Sequence, residues 1–278
     1  MGSRYAGTIS DQADKASRFL ALHIPGEPLL IPNPWDTGSA KILASLGYQA
    51  LATTSSGHAA TLGRLDGSVS REEAIAHAAD IVAATPLPVS ADLENGFADD
   101  PHGVAQTIEL ALGAGLAGCS VEDYGGDEPA IYELGLAKER VAAAAEAAHG
   151  GGVHLVLTGR AENFIRGNPD LADTIARLQA YQEAGADVLY APGLSSADDI
   201  RQVVSSVDRP VNVLARAGAP TVAELAQLGV ARVSVGGHFA FAALAGLVEA
   251  ATELRDHGTY GFTEASRAGG RAAREAFD

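Results

Sequence analysis

The chain has 278 residues, 47% of them hydrophobic, which is enough for a large core, and a single α/β barrel uses roughly 250 residues. With 35 acidic against 19 basic residues the net charge is −16 at pH 7, the wrong sign for gripping a nucleic-acid backbone or an anionic membrane. No apolar run reaches the ~18–20 residues that span a bilayer, the opening Met-Gly-Ser-Arg-Tyr-Ala has no signal-peptide core, and the one cysteine, Cys119, permits no internal disulfide, so a cytoplasmic location is expected.

Residues 1–25 are expected to form an N-terminal helical segment. Eight short apolar or β-branched runs follow, at 29–33, 49–54, 87–92, 118–123, 154–160, 187–192, 210–215 and 231–236. Ala-rich, helix-compatible stretches lie between most of them, including 70–84, 101–113, 135–149 and 171–184. Short apolar strands separated by crossover helices are buried on both faces and therefore parallel. Eight such units in about 240 residues predict one closed (β/α)8 TIM barrel over 1–278, with a doubly wound open sheet as the alternative. "ALGAGLAGCSVED", "AYQEAGADVLYAP" and "AELAQLGVARVSVGG" each join a helix end to a strand through Gly, the αβ-loop signature. Residues 258–278 read as one additional C-terminal helix.

In a parallel barrel the C-terminal strand ends form the rim that carries chemistry. Side chains alternate along a strand, so Ser90, Asp92 and Glu94 point inward together, as do Ser120 and Glu122, while Cys119, Val121 and Asp123 face the helices. Asp92, Glu94 and Glu122 can then converge, and three gathered carboxylates repel one another unless a cation neutralises them. Mg2+, with its preference for oxygen ligands and retained waters, suits such a set, and Mn2+ is the alternative ion. The bland alternative is that these acids cap helices or pair with arginine. Ser55, Ser56 and Gly57, in "TTSSG", form a turn whose amides can hold a carboxylate or phosphate oxygen. Arg160, inward with Thr158 and Glu162, can clamp a carboxylate, or pair with a neighbouring acid. Asn212 offers an amide that backbone could equally satisfy. His58 and His238 border the rim. The three lysines, Lys15, Lys41 and Lys138, all fall on helices, which disfavours Schiff-base chemistry, and no phosphate-binding glycine motif or Cys/His zinc cluster is present.

The blocks "IPNPWDTGSAKI" at 31–42, "TTSSG" at 53–57, "GRLDG" at 63–67, "ADLENGF" at 91–97, "SVEDY" at 120–124, "GRAENF" at 159–164 and "GVARVSVGG" at 229–237 resemble, in order, the isocitrate lyase/phosphoenolpyruvate mutase superfamily. The resemblance implies a barrel that binds Mg2+ and makes or breaks C–C or P–C bonds of 2-oxo acids or 2-hydroxy dicarboxylates through enolate-like species. It also implies a homotetramer whose last helices pack on a neighbour. By position it makes Asp92, Glu94 and Glu122 metal-site acids, although the second is often Asp in the family. Asp66 and Arg160 match catalytic residues, with Arg160 also binding substrate alongside Ser55, Ser56, Gly57, Trp35 and Asp36.

The departure falls after the fourth strand, where the family's lyases carry a catalytic cysteine and its phosphonate mutases carry Lys and Asn. This chain reads "EDYGGDEPAIYELG", leaving Tyr124, Asp127, Glu128, Tyr132 and Glu133 as gate candidates. The reading is thus a Mg2+-dependent carbon–carbon lyase, decarboxylase or hydrolase acting on a small carboxylate. A phosphonopyruvate-type mutase or hydrolase and a non-catalytic 2-oxo acid binding protein are the alternatives.

Overall fold

The eight apolar runs become eight parallel strands because each is bounded by a helix that returns the chain to the same end of the sheet. The computed structural model describes residues 9–126 and 131–277. Its strands are β1 (Leu29–Ile31), β2 (Leu51–Ala52), β3 (Val89–Asp92), β4 (Gly118–Glu122), β5 (Val156–Arg160), β6 (Val188–Tyr190), β7 (Val211–Leu214) and β8 (Arg232–Ser234). They pair in sequence order from β2 to β8, β8 pairs β1, and the Ala52 N–H donates to the Pro32 carbonyl (3.1 Å) across the β1–β2 seam. The fold is the expected (β/α)8 barrel.

The helices are α1 (Ile9–Ala21), α2 (Thr37–Ser45), α3 (Ser55–Thr61), α4 (Arg71–Ala84), α5 (Pro101–Gly113), α6 (Leu134–His149), α7 (Leu171–Glu183), α8 (Ala197–Ser206), α9 (Val222–Gln227), α10 (His238–His257) and α11 (Thr263–Phe277). The glycines read as αβ-loop signals adopt the left-handed conformation at Gly115, Gly185 and Gly229, with φ of 84°, 105° and 83°. The additional helix is α11, which folds back so that Phe277 meets α2 beside Gly38 and Lys41. No helix among the described residues is long and apolar enough to cross a membrane.

The inward and outward faces separate as alternation requires. Leu157, Leu189, Val211, Val213 and Val233 join the core under the helices, whereas Leu29, Ile31, Val156 and Val188 fill the barrel's lower interior with Phe19 of α1. Gly118 lets α1 approach closely, since a Cβ there would lie 2.6 Å from the Phe19 ring. Above that apolar floor the inward positions turn polar: Thr158, Asn212, Arg232 and Ser234 are buried there.

Candidate active site

The rim begins at β3, whose last residue is Asp92. Its carboxylate accepts the Ser55 N–H and O–H (3.3 and 3.0 Å) on one oxygen, and on the other the Glu94 N–H (3.3 Å) and Arg160 Nη1 (3.5 Å). Glu122 ends β4 and lies 3.0 Å from the same Nη1, with Arg166 Nη2 at 3.9 Å. Arg160 also donates through Nε to Glu162, which is fully buried and receives the Arg166 Nε at 3.0 Å. Glu94 lies just past the strand at φ 49°, a left-handed backbone that side chains avoid and that is characteristic of functional loops.

Three acids, Asp92, Glu122 and Glu162, therefore share two arginines, with Glu94 next to Asp92. Burial raises the Glu94 carboxyl to about 7, with Asp92 and Asp66 adding to the shift and Arg160 and Arg166 only partly opposing it. Glu122 is likewise held above the ordinary carboxylate range by its burial and by Glu162 and Asp92, against the pull of Arg160. For Arg160 burial works against its charge, but Glu122, Glu162 and Asp92 outweigh it and hold the guanidinium well above its usual range. The mouth is short of positive charge.

Above these groups opens a cavity of about 180 Å3, lined by Ser55, Ser56, Asp66, Asp92, Arg160, Tyr190 and Asn212. Drug-sized sites run to roughly 300–1,000 Å3, so this one suits a small acid and not a nucleotide. Burial pushes the Tyr190 hydroxyl up to about 12, which keeps it a neutral donor.

Of the residues singled out in the sequence, Ser55, Ser56, Asp66, Asp92, Arg160 and Asn212 line this cavity. Glu94 lines an adjoining hollow with Asp92, and Glu122 meets the site through Arg160. The donor oxygens of Asp92, Glu94 and Glu122 do not gather within 4.8 Å of one another. Three further residues lie elsewhere. Asp36 is exposed and caps α2, accepting the Ser39 N–H at 2.6 Å. Trp35 and Gly57 line an apolar hollow against α10, and Gly57 is a packing position, since a Cβ there would lie 2.6 Å from Thr54 Cγ2. Asn212 lines the cavity with its amide already used, donating to Ser234 Oγ (3.0 Å) and accepting from Arg232 Nε (3.0 Å). Asp66 sits on an exposed loop across the mouth.

Among the gate candidates, Asp127 and Glu128 lie outside the described residues. Tyr132 turns away, donating to Asp99 and stacking on Arg140 (4.1 Å), and Glu133 is exposed ahead of α6. Tyr124 lies under the Arg166 guanidinium at 3.5 Å. His58 stacks on His77 at 3.8 Å, and the His238 Nδ1–H donates to the Ala215 carbonyl. Cys119 faces the helices as its parity requires, and burial raises its thiol to about 12, so it supplies no nucleophile or acid at neutral pH.

The supporting arginines were invisible in the sequence. Arg140 of α6 donates to the carbonyls of Ala98 (2.7 Å), Asp99 (2.9 Å) and Asn95, pinning the loop that carries Glu94. Arg177 and Tyr181 of α7 both bond Asp123, whose other oxygen receives the Glu162 N–H at 2.8 Å. This fixes β4 against β5 beneath Glu122 and Arg160.

The donor set fits a hard divalent cation. It supplies only oxygen, and its acids outnumber Arg160 and Arg166, with burial and the neighbouring Asp92 and Asp66 raising the Glu94 carboxyl. The fit is to an ion that keeps several waters, because Arg160 stands between Asp92 and Glu122. Among the described residues, the three or more His, Cys or acidic side chains whose donor atoms lie within 4.8 Å of one another are His149, His154 and Asp187, on the opposite rim.

The family model described as phosphoenolpyruvate phosphomutase matches residues 19–255. The chain is 31% identical to the 2-methylisocitrate lyase of Halalkalibacterium halodurans, over 72% of this chain and 67% of that one. It is 30% identical to the oxaloacetate decarboxylase of Chromohalobacter salexigens, over 88% and 87%. A crystal structure from Burkholderia cenocepacia J2315 superposes with TM-score 0.90 at 50% identity, covering 94% of this chain and 96% of that one.

Proposed function

The chain belongs to the phosphoenolpyruvate phosphomutase family, and from that premise we propose that it cleaves a carbon–carbon bond in a small 2-oxo or 2-hydroxy dicarboxylate through an enolate-like species, with Mg2+ as cofactor. The observation that carries this reading is Arg160, a partly exposed guanidinium fixed by Asp92, Glu122 and Glu162 in the lining of a cavity sized for a small acid. A fixed cation stabilises charge that develops in the transition state without reorganising.

For a four-carbon 2-oxo diacid, the bond to the far carboxylate breaks, carbon dioxide leaves, and the electron pair remains on the adjacent carbon as an enolate before a proton adds there. Arg160 meets the negative charge on the 2-oxo oxygen and substrate carboxylate. Tyr190 stays a neutral hydroxyl donor in the same cavity, and Ser55 holds Asp92 in place. Asp92, Glu94 and Glu122 would hold Mg2+, partly through its waters. When bound, the ion supplies Lewis-acid polarisation of the substrate oxygens. Oxaloacetate ranks ahead of 2-methylisocitrate because the loop after β4 has no cysteine and Cys119 faces away with its thiol near 12.

The test incubates the protein and Mg2+ with oxaloacetate, 2-methylisocitrate, 2,3-dimethylmalate and phosphonopyruvate, identifies products by NMR, and subtracts the rate of an Asp92→Ala variant at the same Mg2+. Chelator-sensitive conversion of oxaloacetate that Asp92→Ala lacks is expected. Binding with no turnover of any acid sinks the proposal, and turnover of phosphonopyruvate alone transfers it to P–C chemistry.

The same reading includes an oligomer. Leu247 and Val248 of α10 are each 63% exposed, an apolar face that a neighbouring copy would cover. Light scattering that gives the mass of a monomer refutes this part.

A further inference from the structure

The opposite rim carries a second constellation that the mouth chemistry does not use. His149 is the last residue of α6, His154 precedes β5 by two residues, and Asp187 immediately precedes β6. Gly150, Gly151 and Gly152 let the chain double back so that residues five apart stand side by side. At Gly150 a Cβ would press on the Glu146 carbonyl at 2.8 Å. The two imidazoles stack with centroids 4.0 Å apart and an interplanar angle of 4°. Each directs Nε2 at a different oxygen of Asp187, both at 3.0 Å, and all the donor atoms lie within 4.8 Å of one another. Asp187 is buried and held in place by the Leu157 N–H at 2.9 Å.

We propose that His149, His154 and Asp187 form a transition-metal site at the N-terminal rim of the barrel, of the class that takes Zn2+, Ni2+, Co2+ or Cu2+. Two imidazole nitrogens and one carboxylate oxygen match the borderline ions, whereas Mg2+ prefers an all-oxygen shell. The near-parallel rings bring both Nε2 atoms to the one carboxylate, so the two nitrogens are aimed at one place. On binding, the ion replaces the two Nε2 contacts with Asp187: each neutral imidazole turns its Nε2 lone pair to the metal, with its single proton on Nδ1. The side chains of His149 and His154 are 25% and 43% exposed, so metal enters from solvent and water completes the shell. Asp187 is already tied to β5 through Leu157, so the bound ion cross-links the α6–β5 loop to the start of β6.

The experiment uses the full chain in excess Mg2+, added to fill the oxygen-rich mouth on the reading proposed above. Co2+ is titrated while its visible absorption is followed, and Zn2+ is titrated by calorimetry. We expect one equivalent bound by the wild type and an affinity lower by at least about 100-fold in both His154→Gln and His149→Gln. Zn2+ should raise the thermal midpoint of the wild type alone. His154 is partly exposed, so its replacement leaves the metal-free midpoint near wild type, which checks the fold. Equal affinity for Co2+ and Zn2+ in the wild type and both variants overturns the site. The readout is independent of turnover at the mouth, so failure here leaves the lyase reading standing, and the reverse also holds.

Discussion

Two arginines point into this barrel, Arg232 buried and Arg160 15% exposed, and they are satisfied in opposite ways. Arg160, at the mouth, is surrounded by Asp92, Glu122 and Glu162. Arg232, at the centre, meets neutral acceptors among the described residues: Asn212 Oδ1 at 3.0 Å, Thr158 Oγ1 at 3.1 Å and His23 Nε2 at 3.2 Å. Burial therefore pulls Arg232 down to about 10, still fully charged at neutral pH, while the acids hold Arg160 above its usual range. The partners titrate in opposite senses too. His23 is lowered to about 3 by its burial and by Arg232, so it stays neutral and can accept, with its Nδ1–H given to the Phe19 carbonyl. Glu94 is raised to about 7. The centre is a closed polar network, each member committed to another, whereas the mouth carries an unbalanced negative charge that a cation and an anionic substrate can complete together.

Replacing each arginine by methionine breaks the comparison most directly. Arg160→Met keeps the stem but takes the nearest cation from Asp92 and the buried Glu122, while Glu162 retains Arg166, and removing one partner of such a cluster costs about 3–5 kcal/mol. Turnover should fall by roughly 10²–10³, the usual loss when a donor aimed at developing charge is removed. Urea unfolding and steady-state rates check both. If Arg160→Met unfolds at the wild-type midpoint, the acids do not depend on the guanidinium. Arg232→Met leaves unpaired dipoles and no stranded charge, so a smaller loss of about 2–3 kcal/mol is expected, little altered between pH 7 and 9.

Much of this was legible in the sequence, for a physical reason. Alternation along a strand is a hard geometric rule, so the inward placement of Ser90 and Asp92, Ser120 and Glu122, and Thr158 and Arg160 could be read from eight short runs, as could the outward Cys119. The barrel followed from the same runs. Residues off the strands escaped that rule. Trp35, Asp36 and Gly57 belong to conspicuous motifs, yet they cap α2 and let α10 approach, since a motif preserves packing as readily as chemistry. Arg140 and Arg177 sit on helices whose local pattern carries no sign of carbonyls and carboxylates more than 40 residues away. Arg166 reaches Glu162 and Glu122 from a single 3-10 turn over Asn163–Arg166, too short to give any periodicity.

The pH dependence of stability separates centre from mouth by sign. His23 prefers its neutral form in the fold, so protonation in the unfolded chain, below about 6.5, destabilises the native state progressively as pH falls towards 3. At pH 5 that amounts to about 2 kcal/mol, at 1.36 kcal/mol for each pH unit. A His23→Gln variant, whose amide can still donate to Phe19 and accept from Arg232, should lose less stability than wild type between pH 7 and 5, as thermal midpoints will show. Equal losses would mean that His23 is charged in the fold.

Glu94 gives the smaller effect and the opposite sign. Its folded pKa lies near 7 against an ordinary 4.5, so below 4.5 both states are protonated and the group is neutral in its effect. As pH rises from 4.5 to 7 the unfolded chain ionises first, and the native state loses stability that it does not regain at higher pH. Glu94 is only half-buried, so solvent screening reduces the loss to about 1 kcal/mol. In chelator, Glu94→Gln should therefore be more stable than wild type above pH 7 by about that amount, and equal to it near pH 4.5. Saturating Mg2+ should close the gap, because an ion at the mouth stabilises the ionised carboxylate in wild type and finds one ligand fewer in the variant. Thermal midpoints at pH 4.5 and 8, with chelator and with Mg2+, give the four values needed. An unchanged gap in Mg2+ would mean that the cation does not meet Glu94, and a gap that widens towards pH 4.5 would mean that the carboxyl is stabilised in its charged form by Arg160 and Arg166.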